Sequence, residues 1–384
     1  MTGIVAGEGL GLYNGSLAHL NGFGAQGNAR LGNGNDRAWV NAANGNLVIQ
    51  SQDDYLAALG LDVMATRTYN SRGLLDDDNG DNWQLSFYRR LLNLPAGAGT
   101  GEITRVNGDG HRAVFTYDSG TGKWISTDGS GAHDTLSKVG SEWVYEEGSS
   151  GLRETFDSNG KIIKAQDRDG HGLAFDYNGA GTLITAVRVV DATGATVETT
   201  KLTYSGNRLT NIRIDRMDAA TDAIRVRYTY DGQGRLSQVR VDLGNPNDIT
   251  AESGINRYTT TYTYDGTSNR LAGISQSDGS ELLITYVQVG NDYRVASLAQ
   301  REAVVQGSPV YRTTTFNYDI ADRRTDVTDA LGLVTHYHYD TQQRLTRVVS
   351  PEASNGVRST TEYQYDSDDN ITRVTTSVTG STSR

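Results

Sequence analysis

The sequence predicts an all-β protein that is built from a long antiparallel sheet of repeated hairpins. Three observations predict this class. The segment YTYDGQGRLSQV, Tyr228–Val239, has the pattern of one β-hairpin, and similar segments recur at steps of roughly 21–27 residues, with a few longer ones. The chain has 45 Gly and only four Pro, as expected for many glycine-type turns. Between the turns, Thr, Val, Ile and Tyr favour strands, and the best short candidate for a helix is residues 51–60.

The repeated hairpin is organised around its turn. Asp231 favours a type I turn, because its side chain accepts a hydrogen bond from the backbone two residues on. Gly234 supplies the left-handed conformation that a three-residue hairpin loop with a bulge requires. This register predicts that Tyr230 faces Leu236 across the ladder. We expect Arg235, which follows the turn, to form a structural cross-link rather than an anion site.

The marks of the repeat are the tyrosine before each turn and the turn residues that follow it. They are Tyr177, Tyr204, Tyr230, Asp231, Gly234, Arg235, Leu236, Tyr264, Asp265, Tyr318, Asp319, Tyr339, Asp340, Tyr365 and Asp366. Most copies have a second aromatic residue two positions before the marking tyrosine. Residues two apart in a strand share a face, so the pairs predict a column of rings along one side of the sheet, opposite a polar face.

Taken in order, the chain divides into three predicted parts. Residues 1–36 are rich in Gly, Asn and Ala, and we expect them to be loosely ordered or to lie against the first strands. Residues 37–135 predict a set of strands that ends in two hairpins, and residues 136–384 carry the repeats. The acidic stretch 76–82 has oxygen ligands suited to calcium but lacks the EF-hand register, so a solvated turn is the favoured interpretation.

These motifs resemble the Rhs family with its YD repeat, over roughly residues 37–384. The part before the repeats resembles the family's entry module, which we assign to residues 37–135. Its marks are Val40, Gly45, Asn46, Leu47, an acidic residue at Asp53 or Asp54, the RTYNS block Arg67–Ser71, Trp83 and the hairpin Val106–Asp118. The resemblance implies that the repeat sheet curves and spirals, as an open portion of a hollow β-shell.

Composition excludes several classes of function. The formal net charge of −11 disfavours a nucleic-acid partner, since that binding depends on Lys and Arg that neutralise phosphates. No apolar run is long enough to span a membrane as a helix, and the amino end lacks the features of a signal peptide. The chain has no Cys. We therefore expect a protein that is cytoplasmic before export and then secreted or surface-exposed by a route that reads no amino-terminal signal.

No motif predicts catalysis. The sequence lacks HExxH, a phosphate loop ending in Gly-Lys-Ser/Thr and a Gly-x-Ser-x-Gly elbow. His336 and His338 share a strand face and have metal-binding chemistry, but no third ligand is evident in the sequence. We predict a non-enzymatic protein with no catalytic residue, no cofactor and no metal site.

Two functions from different classes follow. In the first, which the Rhs resemblance implies, the chain is a structural segment of a shell that encloses or presents a carboxy-terminal toxin during bacterial competition or insect-toxin delivery. The predicted partners are that toxin or the remaining shell, in cis or in trans. In the alternative, the tyrosine column of a secreted or surface protein stacks on a glycan or a cell wall. An all-β carbohydrate-active enzyme is a third hypothesis, without a motif behind it.

Overall fold

The computed structural model describes residues 3–12, 31, 36–73, 80–97, 99–126, 133–215, 223–243, 257–353 and 356–379. These residues form strands and turns, with no helix among them, which confirms the predicted all-β class. Residues 51–60, the best short candidate for a helix, are not helical. Ser51 and Asp53 are buried and Gln52 between them is exposed, so side chains alternate with the period of a strand that runs to Leu56.

Five strands form the amino-terminal sheet, in the order of the chain. They are β1 (Gly3–Val5), β2 (Arg37–Asn41), β3 (Leu47–Leu56), β4 (Val63–Asn70) and β5 (Trp83–Leu85). For residues 1–36 the sequence left two alternatives, loose order or packing against the first strands. β1 is buried and pairs in parallel with β2, and Ile4 and Val5 are almost fully buried. The second alternative describes β1.

The strands from β6 to β20 pair consecutively with antiparallel partners, so successive hairpins share one sheet. Their bounds are β6 (Arg90–Leu92), β7 (Glu102–Val106), β8 (Arg112–Asp118), β9 (Lys123–Ser126), β10 (Thr135–Val139), β11 (Glu142–Glu146), β12 (Arg153–Phe156), β13 (Ile162–Gln166), β14 (Gly172–Tyr177), β15 (Ile184–Val190), β16 (Thr196–Ser205), β17 (Arg208–Asp215), β18 (Ala223–Tyr230), β19 (Leu236–Asp242) and β20 (Arg257–Tyr264).

The remaining strands continue the same hairpin pattern. They are β21 (Leu271–Gln276), β22 (Glu281–Val289), β23 (Asp292–Val305), β24 (Ser308–Asp319), β25 (Arg324–Thr328), β26 (Val334–Tyr339), β27 (Leu345–Val349), β28 (Arg358–Tyr365) and β29 (Ile371–Thr379). The prediction of a long antiparallel sheet of hairpins is therefore confirmed.

The chain folds into two compact units. The terminal unit comprises Met1–Ile49, Asn70–Arg72 and Thr263–Arg384, and the middle unit comprises Gln50–Tyr69 and Gly73–Tyr262. The predicted boundaries after residues 36 and 135 stay a prediction.

Each unit has its own buried aromatic and aliphatic side chains. In the middle unit the rings of Trp124 and Trp143 meet edge to face with centroids 5.0 Å apart, and Phe115 meets Tyr145 in the same way at 6.1 Å. In the terminal unit, Val5, Leu12, Trp39 and Val48 form a buried cluster. The apolar residues of the strands therefore provide a core on one face of each hairpin.

Candidate functional site

The hairpin turn has the geometry that the sequence predicts. In the hairpin of β18 and β19, the Gly234 N–H donates to the Asp231 carbonyl at 2.9 Å, and Gly234 has a φ of +85°. An added Cβ would therefore be strained there. Tyr230 pairs with Leu236 in the ladder, as predicted. The Asp231 carboxylate accepts hydrogen bonds from the backbone N–H of Gln233 and of Arg235, both at 2.9 Å, so it satisfies the turn's donors.

The arginine after the turn is a cross-link, as predicted. Arg235 reaches back to the Asp231 carboxylate at 2.7 Å, and Arg344 does the same to Asp340 through Nε, also at 2.7 Å. Hydrogen bonds to the charged carboxylate outweigh the effect of its burial and lower the pKa of Asp231 below its ordinary value. In the hairpin of β28 and β29 an asparagine, Asn370, takes the place of the arginine on Asp366.

Several repeat hairpins also carry a second bulge, besides the one predicted at Gly234. The register shifts at the tyrosine before the turn. The residue that follows the tyrosine's apolar cross-strand partner therefore has no partner in the ladder. After Leu236 this residue is Ser237, and its hydroxyl donates to the Thr229 carbonyl at 3.0 Å. Thr210 bonds the Thr203 carbonyl in the same way at 2.9 Å. The sequence signal for these bulges is a Ser or Thr directly after the Leu or Ile, as at Thr210, Ser237, Thr346 and Thr372.

The marking tyrosines tie consecutive hairpins together. The Tyr230 hydroxyl donates to the Leu209 carbonyl of the preceding hairpin at 2.9 Å. Leu209 stands at the bulge of that hairpin, directly before its unpaired residue. Since a bulge interrupts the ladder, a carbonyl there needs another donor. We call this contact the tyrosine clamp.

Three more clamps follow the same rule. In each, the tyrosine hydroxyl donates to the carbonyl of the residue at the bulge of the hairpin before it. The pairs are Tyr177 with Ile162 at 2.9 Å, Tyr318 with Val295 at 2.8 Å and Tyr365 with Leu345 at 2.6 Å. The clamp therefore occurs in both units and does not depend on the insertions between copies.

The hydroxyls of two other predicted marks, Tyr204 and Tyr339, have different surroundings. Tyr204 shares a hydrogen bond with the hydroxyl of Tyr88 at 2.8 Å, and Tyr88 in turn accepts the Ile184 N–H at 3.1 Å. The hydroxyl of Tyr339 is buried without a hydrogen-bond partner among the described residues. The role of the predicted marks as the repeat's structural residues stays a prediction, although most of them make the contacts above.

The predicted column of rings is buried. The first ring of each pair is at most 6% exposed, in Phe175, Tyr228, Tyr262, Phe316, Tyr337 and Tyr363. Because the hydrophobic faces of the strands pack inward, these rings provide core contacts rather than a free stacking surface.

Within the middle unit, Asp53 and Arg67 of the predicted entry module form a buried ion pair. Arg67 binds Asp53 through Nε at 2.9 Å and through a second nitrogen at 3.0 Å, and both side chains are 4% exposed. Asp53 also accepts the Tyr228 hydroxyl at 2.7 Å, and Arg67 donates to the Tyr262 hydroxyl at 3.0 Å. The Arg67 guanidinium lies over the ring of Trp83, 4.3 Å from its centroid.

Electrostatics keep this arginine charged. Burial works to lower the pKa of Arg67, but the facing carboxylate of Asp53 outweighs it and raises the pKa well above its ordinary value. The neighbouring acidic residue, Asp54, instead contacts Arg225 at 3.4 Å. Burial raises the pKa of Asp54. Of the two acidic positions that the resemblance left open, Asp53 is thus the one that pairs with Arg67.

A cavity beside Arg67 has no room for a substrate. It measures about 20 Å³ and is lined by residues that include Arg67, Gln84 and Tyr230. That volume holds about one water molecule. The cavity therefore offers no binding site for a sugar or another organic ligand.

In the terminal unit, the turn after β2 packs against the repeat strands. Gly45 has a φ of +72°, and a Cβ there would lie 2.4 Å from the Cβ of Arg294. The Gly45 carbonyl accepts the Val295 N–H at 3.1 Å, and the Thr325 hydroxyl donates to the Ala42 carbonyl at 2.5 Å. Glycine is required here because two backbones approach closely.

A second buried charge cluster was missed in the sequence. Glu154 is fully buried and binds Arg89 and, at 2.7 Å, Arg105. Arg105 lies over the ring of Tyr145 at 3.9 Å, and the Tyr145 hydroxyl donates to Asp134 at 2.6 Å. Burial works to raise the pKa of Glu154, but the guanidiniums of Arg105 and Arg89 outweigh it and hold the pKa below its ordinary value. The five residues lie on separate strands or loops between Arg89 and Glu154, so no local pattern reveals them.

The histidine pair makes separate contacts. His336 bonds Asp326 at 2.6 Å, whereas His338 lies 3.0 Å from Arg347. Burial and then the charge of Arg347 lower the pKa of His338 to about 4. In the described part of the chain, no group of three or more His, Asp and Glu side chains is placed to hold a metal ion.

Most of the predicted acidic loop lies outside the described residues, which resume at Gly80. Of its described residues, Asp81 accepts the N–H groups of Trp83 at 3.1 Å and of Leu236 at 3.0 Å. Within the described segments, no helix has the length and apolar character needed to cross a bilayer.

Comparison with known proteins bears on the repeats and on the segment before them. Residues 38–115 match the family model described as "Domain of unknown function (DUF6531)", and residues 318–354 match the RHS Repeat model. The second match contains the marks Tyr318, Asp319, Tyr339 and Asp340 and confirms the resemblance to Rhs YD-repeat proteins. No curated protein matches the chain significantly.

The chain is also similar to solved structures. Chains in the crystal structures of TcdB2-TccC3 without its hypervariable C-terminal region and of TcdB2-TccC3-Cdc42 are 11% and 12% identical, each with a TM-score of 0.34. The similarity covers 86% of this chain and 22% and 23% of those chains. The Tc holotoxin pore of Photorhabdus luminescens is 11% identical with a TM-score of 0.20 over 87% of this chain and 25% of that one. The present chain thus spans at most a quarter of their length.

Proposed function

Starting from a chain that carries RHS repeats, we propose that this protein is a non-enzymatic wall segment of an Rhs-type shell, which encloses or presents a carboxy-terminal toxin. The wall acts by steric exclusion, so its function requires a continuous sheet rather than a reactive group. Its partners are that toxin and the rest of the shell, in cis or in trans. The protein works outside the producing cell.

The observation that carries this proposal is the tyrosine clamp. A hairpin pairs with its neighbour through the ladder, and the clamp adds a side-chain bond from one hairpin to the bulge of the one before it. Within the turn, the Asp231 carboxylate accepts the backbone N–H groups of Gln233 and Arg235. A sheet whose interruptions are repaired in this way holds together along the chain, as a wall requires.

The contacts of the tyrosines argue against the glycan alternative, which was based on an exposed column of tyrosine rings. Stacking on a sugar requires an exposed ring face, and the first rings of the aromatic pairs are buried, with Tyr337 at 0% and Tyr228 at 4% exposure. The hydroxyls of Tyr230 and Tyr365 are already bonded to backbone carbonyls. These contacts favour a structural role for the tyrosines.

Protease protection tests the proposal. The complete reading frame that contains this chain is expressed. Protease digestion of its carboxy-terminal segment is followed by mass spectrometry. We expect that segment to resist protease concentrations that degrade the same segment expressed alone. The double variant Tyr230→Phe/Tyr365→Phe should shorten this protection, and Tyr293→Phe, whose ring is 40% exposed, is the matched control. Equal digestion with and without the chain contradicts enclosure.

A further inference from the structure

One face of the middle unit's sheet concentrates positive charge. On β14 to β20, the face opposite the core carries six cations and three carboxylates among its described residues, a net charge of +3. The cations are Arg188, Lys201, Arg213, Arg227, Arg240 and Arg257, and the carboxylates are Asp176, Asp215 and Asp242. We call this surface the cationic face. It stands out because the whole chain has a net charge of −11.

The register shows that these cations share one side. Lys201 pairs with Arg213, and Arg227 pairs with Arg240, so each couple lies directly opposite in the ladder. Directly opposite residues of antiparallel strands point to the same face. The residues that alternate with them, such as Ile212 and Val226, are buried in the core. The cationic face is therefore the polar side of the sheet.

Like charges in opposite positions are unfavourable for the sheet by itself. Cross-strand pairs of one sign repel and weaken the ladder. Within the face, Arg188 binds Asp176 at 2.8 Å, Lys201 binds Asp215 at 2.9 Å, and Asp242 pairs with Arg257 in the ladder. Arg227 and Arg240 lie directly opposite each other in the ladder. A carboxylate of a bound partner is attracted to two neighbouring guanidiniums.

We propose that the cationic face is a docking surface for an acidic stretch of polypeptide. Guanidiniums bind carboxylates in a two-pronged geometry, and an extended acidic peptide presents same-side carboxylates about 7 Å apart, a spacing that same-face residues of a strand also have. The inference stands apart from the enclosing role, because a sheet that encloses nothing would bind such a peptide equally well.

Charge favours a peptide over a nucleic acid. The three carboxylates on the face would repel a continuous row of phosphates, as would the acidic remainder of the chain. A peptide can place neutral residues opposite Asp176, Asp215 and Asp242 and its own acids opposite the arginines. A face that carries both cations and carboxylates therefore favours a peptide whose own carboxylates are spaced apart.

Fluorescence anisotropy tests the docking surface on the full chain. The probe is a labelled peptide of alternating Glu and Ser, compared with its Lys/Ser counterpart and with a single-stranded oligonucleotide of equal charge, at low and at physiological ionic strength. We expect the acidic peptide to bind most tightly and to weaken with salt. The variant Arg213→Gln/Arg240→Gln should weaken binding about tenfold or more.

Matched variants keep the test decisive. Arg312→Gln/Arg358→Gln removes the same charge from the terminal unit, at side chains 55% and 35% exposed, and should leave binding unchanged. Arg240→Lys keeps the charge but loses the two-pronged geometry, so it should weaken binding less than Arg240→Gln. Circular dichroism melting shows that each variant is folded. Absence of peptide binding at low salt, equal loss in both double variants, or tighter binding of the oligonucleotide would each overturn the proposal.

Discussion

A tyrosine in this repeat has two separate roles, one performed by its ring and the other by its hydroxyl. The ring fills the strand face opposite an apolar residue, as Tyr230 does against Leu236. The hydroxyl then satisfies a carbonyl at the preceding bulge, Leu209 in this case. Phenylalanine has the first property but lacks the second, which explains why a chain with six Phe and 21 Tyr uses tyrosine for its repeats.

Removing one hydroxyl tests this role. Tyr230→Phe keeps the ring but leaves the Leu209 carbonyl without its donor, so we expect a loss of about 1–2 kcal/mol in the free energy of unfolding. Urea titration measures it. Tyr293→Phe is the control, because its ring is 40% exposed and makes no clamp. An equal effect in both variants would show that the clamp does not stabilise the fold.

The buried pair of Asp53 and Arg67 makes a different prediction. Arg67→Met leaves the Asp53 carboxylate buried without its counter-ion, and we expect a loss of about 3–5 kcal/mol. The double variant Arg67→Met/Asp53→Leu removes both charges and should be less destabilised than the single one. A double-mutant cycle by urea unfolding measures the coupling. A double variant less stable than Arg67→Met would contradict this account.

The pH dependence of stability follows from Glu154. Its pKa is lowered in the folded chain by Arg105 and Arg89, against an ordinary value of 4.5. A depressed carboxyl pKa adds stability that is complete above the ordinary value and is lost as the pH falls through the folded value. We therefore expect the urea midpoint to fall with acidification more steeply in the wild type than in Glu154→Gln. Glu142→Gln, at an exposed position, should keep the wild-type slope.

At the scale of the element, the hairpins of β18 with β19 and of β26 with β27 each depend on one carboxylate that performs three tasks. Asp340 accepts the backbone N–H groups of Gln342 and Arg344, both at 2.9 Å, and pairs with the Arg344 side chain. Asp231 repeats the arrangement with the same spacing. The aspartate is therefore a turn former by position, as the sequence predicted, and not an acid–base group.

Two substitutions separate these tasks. Asp340→Asn keeps an acceptor for the backbone N–H groups and loses only the charge, so it should cost less than about 1 kcal/mol. Asp340→Ala loses every contact and should cost about 1–2 kcal/mol more. Hydrogen exchange of β26 and β27, followed by mass spectrometry, reports the effect locally. Asp322→Ala, at an exposed turn position, is the control. Equal exchange in the Asn and Ala variants would refute the backbone role.

At the scale of the whole molecule, the clamps are local contacts repeated along the chain. Tyr230 and Tyr365 belong to different hairpins and share no partner. We expect the stability losses of Tyr230→Phe and Tyr365→Phe to add in the double variant, and hydrogen exchange to rise only in the hairpins that each variant touches. Exchange that rises throughout the chain in a single variant would show that the repeats unfold as one body.

The sequence alone determined the class, the hairpin and the family resemblance. Asp231, Gly234 and Leu236 lie within six residues of Tyr230, so local turn chemistry and strand alternation predicted their geometry. The RHS repeat match at 318–354 agrees with the marks read from the motifs. Local patterns did not determine the strand through residues 51–56 or the pairing of β1 with β2. There, contacts with distant strands decide the structure.

Only the tertiary structure decided which groups meet across long separations. The carbonyl that receives Tyr230 belongs to another hairpin, the partner of Asp53 comes from a separate strand, and Glu154 lies among arginines far from it in sequence. It also decided that the aromatic column is core and that the cationic face is the side opposite it. Turn preferences act over a few neighbouring residues, whereas burial and charge pairing depend on the register of strands, which forms only when the whole sheet assembles.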